Sequence, residues 1–120
     1  MSRHYIILVI GLDEPLDGLV ERWLEEAGHA VMFDGRPDCK DRAPQLVIAY
    51  LATPRGPTPF VRSLRELYDA PILLLSPSFR SGLEGSVETA RRLEVHKVLP
   101  IPFSRDELLG AVRESMESLA

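Results

Sequence analysis

Asp13 and Glu14 stand side by side directly after one apolar run, Tyr50 closes a second run, and Ser76 closes a third. Adjacent carboxylates are hard oxygen ligands that attract a divalent cation. A pair without a third carboxylate or a phosphate holds one only weakly, so Asp13 and Glu14 are weak metal candidates and no metal centre is expected. A phenol has an ordinary pKa of about 10 and is a poor nucleophile unless a base or a metal activates it, so Tyr50 needs help that its neighbours must supply. Cys39 lies near Lys40 and Arg42, cations of the kind that lower a thiol's pKa, although a lone thiol in a polar segment is usually incidental. His4, His29 and His96 are scattered singly, without an H-x-x-x-H or Cys/His spacing, which points to surface or packing roles rather than metal ligation. Arg55 sits in "PRGP", where two prolines fix the backbone, and its side chain is a candidate partner for Asp13.

These residues are positioned by short β-branched runs that alternate with segments of helical period, the pattern of βαβ units and a parallel sheet. The strands read as Tyr5 to Gly11, Ala30 to Phe33, Leu46 to Leu51, Pro71 to Ser76 and His96 to Leu99. The first helix carries Leu16, Leu19, Val20, Trp23, Leu24 and Ala27 on one stripe and stops at Gly28. A later short helix has the apolar face Phe60, Val61, Leu64, Leu67 and Tyr68, and another carries Leu83, Val87, Ala90 and Leu93. In the last helix, Ser104 and Glu107 form a capping box, Phe103 and Leu108 take the staple positions, and Leu109, Val112, Met116 and Leu119 extend the buried stripe. The second connection, "DGRPDCKDRA", has almost no apolar residue and a central proline, so its helix is shortened or absent and the sheet beneath Val31 and Phe33 is either thinly covered or covered by something else. The expected fold is a doubly wound α/β domain with a five-stranded parallel sheet spanning residues 1–120. In such sheets ligands gather at the carboxyl ends of the strands.

Composition narrows the function. A chain of 120 residues with 45% apolar content suits one domain. With 27% charged residues and a net charge of -4, it has no basic face for nucleic acid or anionic membranes. The single cysteine rules out an internal disulfide, and the six-residue apolar run at Tyr5 to Ile10 is too short for an export signal or a membrane span. The cytoplasm is the expected location.

The stretches "LDEP" after the first strand, "PQLVIAYLATP" at the third, "PILLLS" at the fourth and "PIPFSRDEL" before the last helix resemble the receiver domain of bacterial response regulators, over nearly the whole chain. The resemblance implies a site in which an aspartate ending the third strand takes a phosphoryl group from a histidine kinase. Mg²⁺ is held there by that aspartate and an acidic pair, and a lysine and a Ser or Thr bind the phosphoryl oxygens. Mapped onto this chain, Tyr50 stands at the acceptor position, Leu12 replaces the first acid and Ile101 replaces the lysine, while Asp13, Glu14 and Ser76 remain. Val98 takes the place of the aromatic that reorients on activation in many receivers, and the resemblance implies a cis bond before Pro102.

The expectation is therefore a degenerate pseudo-receiver. It is no enzyme and needs no cofactor; its site is filled by the Tyr50 ring, with the phenol bonded to Asp13, Ser76 or water. Its function is that of a phosphorylation-independent signalling module of a two-component or phosphorelay system. The partner is a protein, docked through the fourth helix, fifth strand and fifth helix, or else a second copy in a weak homodimer that uses the mixed charges of Arg91, Arg92, Glu94, Lys97, Glu114 and Glu117. The alternative is a small-molecule-binding or enzymatic flavodoxin-like domain that uses the strand-end crevice. Against it, the sequence has no G-x-G-x-x-G, no P-loop and no nucleophile elbow.

Overall fold

The computed structural model describes residues 4–33, 43–51, 59–77, 90–91 and 95–117. Among them five strands and three helices follow one another as β1 (Ile6–Ile10), α1 (Leu16–Glu26), β2 (Ala30–Phe33), β3 (Leu46–Tyr50), α2 (Pro59–Leu67), β4 (Ile72–Ser76), β5 (Lys97–Pro100) and α3 (Arg105–Glu117). The expected strands are all present with their ends moved by about a residue; β5 starts at Lys97 rather than His96 and runs on through Pro100. The second connection with Cys39, the loop with Arg55 and most of the helix expected around Leu83 to Leu93 lie outside the described residues.

All four pairings are parallel, in the order β2-β1-β3-β4-β5. The chain steps outward from β1 to β2, then returns to β3 on the other side of β1 and continues in the opposite direction. That reversal opens a crevice at the carboxyl ends of β1 and β3. β3 and β4 are apolar on both faces because both are covered: Leu46, Val47, Ile48 and Ala49 have no exposed surface. On one face, Val20 and Leu24 of α1 and Leu108 and Val112 of α3 pack on Ile7, Val9, Ile48 and Leu73. On the other, Val61 and Leu64 of α2 pack on Leu8, Val47, Ile72 and Leu74. Each fully buried side chain of this size contributes about 1.5–3 kcal/mol.

The capping box forms as expected. Ser104 Oγ accepts the Glu107 backbone N–H at 3.1 Å, and Glu107 Oε1 accepts that of Ser104 at 2.9 Å. Phe103 joins the cluster that holds Leu108 and meets the half-buried Trp23 edge-on at 6.3 Å, tying α3 to α1. At the other end of α1, Gly28 N–H donates to Glu25 O and His29 N–H to Leu24 O, both at 3.0 Å, which is a Schellman ending. Gly28 has φ 95°, and a Cβ there would lie 2.3 Å from His4 Nδ1. The stop therefore requires glycine on two counts, backbone conformation and the imidazole packed over it.

Two expectations about faces are corrected and a third is decided. Leu19, placed on the buried stripe of α1, is 39% exposed, because Val20 and Leu24 take the centre of the stripe and Leu16 and Trp23 its flanks. Leu67 is 71% exposed; it ends a nine-residue helix, and Tyr68 beyond it takes the packing position. Of the two outcomes expected for Val31 and Phe33, the second holds: another element covers them. They pair with Ile7 and Val9 and share their face, the one covered by α1, while Met32 points to the opposite layer and is 4% exposed.

Candidate functional site at the carboxyl ends of the strands

The register decides which residues meet. Ile10 is opposite Ala49, so the next residues, Gly11 and Tyr50, end their strands side by side; Tyr50 is opposite Leu75, and Ser76 opposite Pro100. Gly11 adopts φ 85°, and a Cβ there would stand 3.4 Å from the Tyr50 carbonyl oxygen. Glycine thus lets β1 pass close to Tyr50 and turn away toward α1. The turn carries Leu12 and Asp13 across the strand ends, and the Asp13 carbonyl accepts the Asp17 N–H at 3.1 Å as the helix begins.

Gly11, Leu12, Asp13, Leu16, Tyr50, Pro77 and Ile101 line a cleft of about 230 Å³. Its walls are mostly apolar. Leu12, Leu16, Tyr50 and Ile101 are half-buried and pack on the layer beneath α1 and α3. Asp13 is the one formal charge among these lining residues, and it is exposed. The Ile101–Pro102 bond is cis, as expected, and Glu14–Pro15 is cis as well.

The structure brings four of the expected site residues together, Leu12, Asp13, Tyr50 and Ile101, and leaves two apart. Glu14 is exposed and does not line the cleft. Ser76 is fully buried, follows the parity of Ile72 and Leu74 toward the other face, and leaves its place at the rim to Pro77. Its carbonyl accepts the Ile101 N–H at 3.1 Å, so it still fixes where Ile101 stands. Leu16 was missed as a lining residue, although it sits two positions from Glu14. Val98 is buried in the layer under α2.

No cation lines the cleft among the described residues, and no described group of three or more His, Cys, Asp and Glu side chains is arranged to hold a metal. Asp13 alone offers oxygen ligands there, too few for Mg²⁺. What the cleft offers instead is apolar surface, one aromatic face and a carboxylate at the rim.

No protein-family model matches the chain, and no curated protein does. Solved structures do resemble it. NtrX from Brucella abortus aligns at TM-score 0.73 with 21% identity over 97% of this chain and 28% of its own, so the present chain spans little more than a quarter of that protein. A chemotaxis response regulator of Vibrio cholerae aligns at TM-score 0.71 with 19% identity, covering 94% of this chain and 99% of its own. The receiver domain of the Francisella response regulator 1452 gives TM-score 0.70 and 18% identity over 97% and 99% of the two chains. At these identities the likeness is one of fold: the chain has the receiver-like, flavodoxin-type α/β architecture. No helix among the described residues is long and apolar enough to cross a membrane.

Proposed function

We propose that this chain is a pseudo-receiver, a cytoplasmic signalling module of a two-component system that acts by binding a protein partner and takes no phosphoryl group. The observation that carries the reading is Tyr50 at the end of β3, its ring packed among Leu12, Leu16 and Ile101 in the crevice where the architecture puts chemistry. Neither the acceptor carboxylate nor the neutralising cation stands where receiver chemistry requires it. A phenol with one exposed carboxylate near it, and no metal or cation among the cleft's described lining, does not replace an aspartate as nucleophile.

The module is no enzyme in this reading, and its partner docks on the face built by β5, α3 and the segment before β5. Lys97 and Glu114 pair across that face at 2.5 Å, which joins β5 to α3 and leaves Arg91 and Glu117 among its exposed charges. A weak homodimer through the same face is the other form of this reading. The small-molecule alternative has the apolar cleft in its favour, and against it the lack of a second acid or a histidine beside Asp13 among the cleft's described lining.

Incubation with acetyl phosphate and Mg²⁺ followed by intact-mass measurement tests the reading. The mass is expected to stay that of the bare chain; a gain of one phosphoryl group overturns it.

A further inference from the structure

His29 and His96 occupy equivalent places at opposite ends of the sheet. Each immediately precedes an edge strand, His29 before β2 and His96 before β5. His29 Nδ1 accepts the backbone N–H of Tyr5 at 3.1 Å, beside the bond from Ala30 N–H to Tyr5 O at 2.9 Å. His96 Nδ1 accepts the backbone N–H of Ile72 at 3.4 Å, and the His96 backbone N–H donates to Ile72 O at 3.0 Å. In both cases the imidazole stands in for a peptide carbonyl in the first rung between an edge strand and its inner neighbour. A backbone N–H can only donate, so both Nδ1 atoms must be bare and both rings neutral.

We propose that β2 and β5 are latched to the sheet by the neutral imidazoles of His29 and His96, so that mild acid releases both edge strands while β1, β3 and β4 remain paired. Protonation puts a hydrogen on Nδ1, turns the acceptor into a donor and sets it against an N–H that cannot move. The surroundings favour the neutral rings. Burial lowers the His29 pKa, and the neighbouring His4 adds to the effect; burial and then Arg65 lower that of His96. The groups facing the rings among the described residues are His4 and the stacked Tyr5 ring at His29, and Arg65, Tyr68 and Asp69 around the pocket that His96 lines. His4 itself is different: its Nδ1 lies 2.7 Å from the Gly28 carbonyl, which can only accept, so that bond survives protonation.

The sign follows from the lowered values. A histidine that binds its proton less readily folded than unfolded contributes stability that is fully present above the ordinary value of 6.5 and is lost as the pH falls from there through the lowered folded value. Carboxylates begin to titrate only below about pH 5, which leaves a window for the imidazoles alone. The face proposed for partner binding includes β5, so loosening its first rung reaches that face directly.

The test is a set of thermal melts of the full chain between about pH 7.5 and about pH 5.5, with imidazole titrations followed by NMR. For the wild type, the midpoint is expected to fall by about 5 °C across the window, with His29 and His96 both titrating below the ordinary imidazole value of 6.5. The double variant His29→Asn, His96→Asn offers an amide oxygen where Nδ1 was and cannot titrate; it is expected to keep the neutral-pH midpoint and lose most of the acid shift. The double leucine variant is expected to melt lower at neutral pH with little acid dependence. An asparagine variant that keeps the full acid shift, or His29 and His96 titrating at or above 6.5, overturns the proposal.

Discussion

Tyr50→Asp alone is expected to destabilise the fold by about 2 kcal/mol or more and to gain no phosphoryl group. The ring is half-buried on the layer beneath α1 and α3, and it forms one wall of the cleft with Leu12, Leu16 and Ile101. Replacing it removes that packing and puts a second carboxylate beside Asp13, with no cation among the cleft's described lining to compensate it. Burial and like charge both oppose the ionised form of the new carboxylate, so the substitution restores a residue type without restoring a site. Urea denaturation measures the loss, and an unchanged or higher stability would show that the crevice retains compensation for an acid.

The second large effect is a gain. Leu12→Asp, Tyr50→Asp and Ile101→Lys together are expected to give a chain that accepts one phosphoryl group from acetyl phosphate only when Mg²⁺ is present, as an added mass on the intact protein. The argument rests on the register: Leu12, Asp13, Tyr50 and Ile101 line one cleft. Three carboxylates then surround one point that Mg²⁺ can occupy, and an ammonium faces the charge spread over the transferred group. Each pair of these substitutions omits the nucleophile, a metal ligand or the cation. If the triple variant folds and takes no phosphoryl group, the missing function has a cause beyond these three residues.

The sheet was legible because its strands are covered on both faces, which turns β1, β3 and β4 into continuous apolar runs bounded by glycine and proline. The start of α3 was legible because Ser104 and Glu107 satisfy each other's backbone within four residues, a local matter. What failed was the assignment of faces. Val31 and Phe33 alternate with Met32 whichever layer they meet, and only the pairing with Ile7 and Val9 says which layer that is. Leu19 and Leu67 fit a helical period, but the period does not show where neighbouring elements stop covering a helix. At the site, Tyr50 and Ile101 were placed correctly by their position after the runs, whereas Ser76 was grouped with them although parity turns it to the other face. The histidines read as incidental because a one-residue offset before an edge strand acquires meaning only once the strand order is known.

The proposed pseudo-receiver takes no phosphoryl group at its strand-end cleft. This claim is tested most directly by a backbone NMR spectrum of the wild-type chain titrated with Mg²⁺ and beryllofluoride, a phosphoryl mimic. The account predicts that the amide signals of Leu12, Asp13, Tyr50 and Ile101 stay in place through the titration. A saturable shift of those signals that requires both Mg²⁺ and the mimic would contradict it.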